Sequence, residues 1–135
     1  MKLNGFYPLI LTNDVAVSSQ FYMDHFGFQS TFQSDWYVSL IHSEQSAHQL
    51  AFIALGHESI PAEFRGQPSN LLLSFEVADA TAEYDRLQAA GMKILHPLRD
   101  EPWGQRHFIG VDPQGTMVDV IELIPPSPEF LAQYR

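Results

Sequence analysis

The chain switches between two hydrophobic spacings, and does so twice in the same order. Residues 6–11, "FYPLIL", form a short apolar run that predicts a strand near Phe6–Leu11. Thr12, Asn13 and Asp14 follow, all suited to an N-cap. The spacing then becomes helical: Val17 and Phe21, like Tyr22 and Phe26, share a face. The helix is expected to run to about Phe26 and to stop at Gly27. Strands are predicted near Phe28–Gln33, Tyr37–His42 and Gln49–Leu55.

The second half repeats the plan. A strand is predicted over Asn70–Val77, and Asp79 caps a helix of about Ala80–Ala90 whose apolar stripe is Ala80, Tyr84 and Leu87. Gly91 ends it, and strands follow near Lys93–Leu95, Arg106–Val111 and Met117–Ile124. "DPQG", Asp112–Gly115, is a turn signal between the last two. Between the halves, Gly56–Ser69 carries two prolines and two glycines and reads as linker. After the last strand, Pro125 and Pro126 forbid its continuation, and Ser127 starts one short helix. The implied organisation is a first strand-helix-strand-strand-strand module with its linker over 1–65, a second module over 66–124, and a tail over 125–135.

Composition narrows the function. The chain has 135 residues, which favours one domain or two very small ones, and at 45% hydrophobic it can bury a core. It has no cysteine, so disulfides, thiolate nucleophiles and cysteine metal sites are excluded, as suits a cytoplasmic protein. The N-terminal apolar run, broken by Pro8, is too short for a signal peptide or a membrane span. Sixteen acidic residues against 7 basic ones give a net charge of -9. That sign repels nucleic acid and anionic membranes and attracts cationic partners; it also serves plain solubility.

With "FYMDHFGF" after the first helix and "PWGQRHFIGVDPQGTMVDVIE" near the end, the chain resembles the vicinal oxygen chelate superfamily. This is the group of glyoxalase I, extradiol dioxygenases, fosfomycin-resistance enzymes and bleomycin-resistance proteins, and the "PWG…F…DP.G" form is most similar to the bleomycin-resistance branch. The resemblance implies an α+β fold. Two βαβββ modules each curve a mixed sheet into a cup, commonly in a homodimer. It also implies four ligand positions in metal-dependent members. Here these fall at Tyr7, Ala51, Leu72 and Asp119. Alanine and leucine donate nothing, and neutral tyrosine is a poor ligand. Because a catalytic site needs about three protein ligands, no metal and no cofactor are expected. The six histidines show no HxH or HExxH spacing. A one-residue slip could bring in Gln49, with His107 and Asp119 completing a shifted set.

Asp119 is then the residue to explain. Alternation places Met117, Asp119 and Ile121 on the cup's inner face, and Val118 and Val120 under the helix. An unpaired buried carboxylate would cost several kcal/mol or take up a proton. It either pairs with Arg106 or the Tyr7 hydroxyl, or serves a ligand. Tyr7 and Glu76 share inward faces by the same count, and His107 adds a further candidate. Trp36 and Trp103 offer stacking surfaces, with core or interface packing as the plain alternative. Gly104, after Trp103, suggests that the backbone approaches something closely.

The sequence therefore predicts a metal-free protein that binds a small, cationic or aromatic, antibiotic-like molecule through Tyr7, Trp36, Glu76, Trp103, His107 and Asp119. It assigns no catalytic residue. The competing readings are a metal-dependent lyase or dioxygenase with shifted ligands, and a metal-free enzyme with Asp119 or Glu76 as base and Tyr7 or His107 as acid.

Overall fold

Each half of the chain lays one helix against one side of a four-stranded sheet. In the computed structural model, which describes residues 1–2, 4–66, 71–132 and 134, the halves form two compact units, Met1–Asn70 and Leu71–Arg135. The predicted strand start at Asn70, and Gln67–Ser69 of the predicted linker, lie outside the described residues.

The first unit comprises β1 (Leu9–Thr12), α1 (Val15–His25), β2 (Phe28–Gln33), β3 (Tyr37–His42) and β4 (Gln49–Ala54). The sheet order is β1-β4-β3-β2, with β1 parallel to β4 and the other pairs antiparallel. The Asp14 carboxylate accepts from the Val17 N–H at 3.0 Å, which starts α1 as its residue type predicts. Gly27 stops it with φ 74°, and a Cβ there would lie 2.9 Å from His42 Nε2.

One expected face of α1 is wrong. Val17 is 43% exposed, and the helix instead buries Val15, Ser18, Ser19 and Tyr22. Two small serines let the helix lie close to the sheet, and both hydroxyls are satisfied: Ser18 Oγ lies 2.7 Å from Thr12 Oγ1, and Ser19 donates to the Val15 carbonyl at 2.7 Å. Tyr22 stacks on Phe52 with ring centroids 5.4 Å apart, beside buried Ile10, Val38 and Leu40.

The second unit comprises β5 (Leu72–Glu76), α2 (Ala80–Ala89), β6 (Lys93–Glu101), β7 (Gln105–Val111), β8 (Met117–Leu123) and α3 (Pro128–Leu131). Its order, β5-β8-β7-β6, repeats the first, again with one parallel pair, β5 with β8. Asp79 caps α2 at the Ala82 N–H, and Glu122 accepts from the Ala80 N–H, both at 3.0 Å. Tyr84 and Leu87 cover Phe108, Val118 and Val120, the latter three no more than 1% exposed. Each such apolar side chain contributes roughly 1.5–3 kcal/mol by leaving water.

The largest departure from expectation is β6, which continues well past Leu95 to Glu101. It is an edge strand with register shifts between Ile94 and His96 and between His96 and Arg99, and Pro97 lies in the second. Proline lacks the N–H that a regular ladder needs, and an edge bulge is where a sheet tolerates it. Among the described residues, no helix is long and apolar enough to cross a membrane.

Candidate functional site

In each unit, the face opposite the helix carries the chemistry. In the first unit that face presents Tyr37, Ser39 and Ile41 from β3, with Gln49 and Ala51 beside them on β4. A β2 register shift between Ser30 and Phe32 brings Thr31 in, its Oγ1 2.8 Å from Ser39 Oγ. With Tyr7 these residues line a hollow of about 260 Å³. Its polar groups are hydroxyls and one amide, and none is charged. Burial first, then a hydrogen bond with Tyr7, push the Tyr37 phenol above its ordinary pKa.

In the second unit the matching face is charged. The valines of β8 do lie under α2, and Asp119 points the other way, 7% exposed. Its partner is not Arg106: Asp119 Oδ1 lies 2.8 Å from His107 Nδ1. Arg106 fails because it is adjacent to His107 on β7 and so faces the opposite side, where it pairs with Asp100 at 2.7 and 3.0 Å and approaches Glu122 at 3.6 Å. The other ring nitrogen, His107 Nε2, faces Glu101 Oε1 at 3.3 Å. Arg99 Nε also pairs with that oxygen, and His96 Nε2 stands 3.8 Å away. The result is a chain of groups, Asp119–His107–Glu101, flanked by His96 and Arg99. Arg99's hydrogen bond, opposed by burial and helped by His107, holds the Glu101 carboxyl below its usual range.

Three members of this cluster were not legible. His96 and Arg99 are three apart, which regular alternation assigns to opposite faces; the β6 bulge turns both toward the same side. Glu101 falls in a segment not predicted to be a strand. A proline inside an otherwise strand-like "KILHPLRDE" was the available signal.

The remaining predicted residues scatter. Trp36 is 38% exposed and stacks on His57, centroids 4.0 Å apart and planes at 9°. Glu76 is exposed at the end of β5, level with Ile121. Trp103 is 37% exposed; its ring meets Phe130 edge-on at 6.2 Å, its Nε1 donates to Gln105 at 3.0 Å, and its carbonyl accepts from the Tyr134 hydroxyl. The close approach at Gly104 (φ 106°) is internal, since an added Cβ would stand 2.9 Å from the Ile124 carbonyl oxygen and 3.3 Å from Pro126. Trp103 thus holds the tail, which is the packing alternative.

The four positions that bear a metal in metal-dependent relatives do not suit one here. Ala51 and Leu72 have no donor atom, the Tyr7 hydroxyl engages Tyr37, and Asp119 is engaged by His107. Gln49 lies in the first unit's hollow, whereas His107 and Asp119 pair in the second unit.

Two βαβββ units, each with one helix against one side of a four-stranded sheet, define a two-module α+β fold. The chain belongs to the glyoxalase/bleomycin resistance protein/dioxygenase superfamily, whose sequence profile matches residues 6–120. No curated protein matches it by sequence. Solved structures share the fold at low identity. TioX from Micromonospora sp. ML1 is 18% identical, with TM-score 0.72 over 90% of this chain and 100% of its own. TnmS3, an antibiotic binding protein from Streptomyces sp. CB03234, is 18% identical, with TM-score 0.70 over 90% and 97%. A lactoylglutathione lyase from Agrobacterium tumefaciens is 20% identical, with TM-score 0.68 over 90% and 96%.

Proposed function

We propose that this protein is a small-molecule-binding member of its superfamily, holding a flat, hydrogen-bonding, antibiotic-like compound in the first unit's hollow. The observation that carries the reading is the hollow itself: about 260 Å³ on a sheet face, edged by Tyr7, Thr31, Tyr37, Ser39 and Gln49 over an apolar floor of Ile41 and Ala51. Apolar surface with a few placed polar groups is the usual make-up of a ligand site. Hydroxyls and an amide both donate and accept, so they suit a neutral polar ligand as well as a cationic one. The net charge of -9 favours encounter with cations over anions. The antibiotic binding protein TnmS3 is a precedent on the same fold. A lyase or dioxygenase using the family's own ligand positions finds no donor set at Tyr7, Ala51, Leu72 and Asp119.

Trp36 adjoins Tyr37 of this hollow, ring centroids 5.6 Å apart. Titrating the protein with a panel of planar cationic and neutral aromatic compounds should quench or shift tryptophan emission for some of them. Tyr37→Phe and Tyr7→Phe should each weaken a compound so found by roughly 2–10-fold, the value of one neutral hydrogen bond. If both variants bind it as tightly as the parent, the hollow is not the site. The reading includes a cytoplasmic homodimer. The absence of cysteine and the exposed Phe6, Phe32 and Leu123 support it, and light scattering on the purified chain measures the oligomer.

A further inference from the structure

We propose that His96, Glu101 and His107 form a site for one zinc-class divalent transition ion, on β6 and β7 of the second unit and apart from the four family positions. The three donor atoms, two imidazole nitrogens and a carboxylate oxygen, lie within 4.8 Å of one another. Their orientation is fixed from behind. His107 Nδ1 is 2.8 Å from Asp119 Oδ1, and His96 Nδ1 is 3.0 Å from the Pro97 carbonyl oxygen. A carbonyl and an ionised carboxylate only accept, so each Nδ1 is the donor. Both Nε2 atoms are thereby turned toward the same atom, Glu101 Oε1, at 3.3 Å from His107 and 3.8 Å from His96.

That arrangement is what a metal-binding imidazole requires. Histidine ligands give their second N–H to a carboxylate or a backbone carbonyl, which fixes the tautomer and raises the basicity of the free nitrogen. Here one histidine has each kind of support. Donors bonded at about 2.0–2.1 Å around a tetrahedral zinc stand about 3.3 Å apart. Glu101 and His107 already have that spacing, and His96 lies on a bulged edge strand with a short distance to close. In the ion-free chain Glu101 Oε1 is held by Arg99 and by the hydrogen bond with His107 Nε2; a bound ion takes the place of those contacts, and the Arg99 side chain, 61% exposed, is free to give way to it. Nitrogen and oxygen donors without sulfur suit zinc and its neighbours over calcium or magnesium. Three protein donors leave a fourth position open to water or to an oxygen of a bound molecule.

The test uses the full chain, freed of metal with chelator and carrying no histidine tag. Co²⁺ is added and followed by its visible absorption, which intensifies on four-coordinate binding, and Zn²⁺ is then added to displace it. One Co²⁺ should bind per chain and one Zn²⁺ should replace it. His96→Ala, at a half-buried edge position, should abolish binding while leaving the circular dichroism spectrum unchanged. Asp119→Asn should weaken binding about 10–100-fold, the usual cost of losing an outer-shell partner. Arg99→Ala should tighten it by up to roughly fivefold, by removing the competing cation. Failure of the parent to bind stoichiometrically overturns the proposal. So does binding that survives His96→Ala, which would place the ion on other donors. Either failure leaves the first unit's hollow and its ligand reading untouched.

Discussion

Where the last strand of the first unit carries Ala51, the last strand of the second carries Asp119. Counting back equally from the helix caps Asp14 and Asp79, Leu9 corresponds to Ser74, and these stand level with Ala51 and Asp119. Two positions on, Ile53 faces Tyr37 in the first unit and Ile121 faces His107 in the second. One framework thus places a phenol beside a methyl group on one face and an imidazole beside a carboxylate on the other. The helix sides show no such contrast: Phe52 under Tyr22 and Phe108 under Tyr84 are both fully buried rings. Duplication has kept the packing and divided the chemistry. One face carries a neutral hollow, the other a charged cluster of paired side chains.

If the helix sides are equivalent, Phe52→Ala and Phe108→Ala should destabilise alike, each by about 3–5 kcal/mol, since each empties a packed site against its helix. Urea unfolding monitored by circular dichroism measures both. A large loss in one and almost none in the other would mean that the two cores are not alike.

The contrast between the other faces is sharper. His107→Ala leaves Asp119 buried without its partner, and should cost about 3 kcal/mol. Tyr37→Phe removes one neutral hydroxyl and should cost only about 1 kcal/mol. Equal losses would show that the second face is no more tightly bound electrostatically than the first.

The repeat was readable because caps, stops and apolar runs are local signals. Asp14, Asp79 and Gly27 all act as their residue types predict, and β8 points Asp119 away from its helix as alternation requires. What pairs with Asp119 was not readable. Arg106 was the natural electrostatic choice, yet parity on β7 sends it to the other side and leaves His107 in place. The rest of the cluster depends on β6, where two register shifts undo the even-odd rule on which strand reading rests. Likewise Val17 and Phe21 have helical spacing, but the helix turns its serines inward because Thr12 and the Val15 carbonyl satisfy them. Sequence patterns find faces; bulges and paired hydroxyls decide which side chains meet on them.

The smallest expected difference between the units lies in pH. The Asp100 carboxyl is held below its usual 3.8, first by the Arg106 hydrogen bond, and Glu101 shifts in the same direction. A carboxylate with a lowered folded pKa contributes stability that is complete above its unfolded value and disappears as pH falls through the folded one. The second unit's loss therefore falls on the acid side, below about 4. Tyr37 is raised above 10.0, first by burial, so its contribution is complete below that value and is lost as pH rises through the higher folded one. The first unit's loss falls on the alkaline side. Thermal melts across pH should show Arg106→Gln softening the acid limb alone and Tyr37→Phe flattening the alkaline limb alone. Because the Arg106–Asp100 pair is exposed, added salt should shrink the Arg106→Gln effect and leave the Tyr37→Phe effect in place. An acid limb that responds to Tyr37→Phe would mean that the neutral and charged faces do not titrate separately.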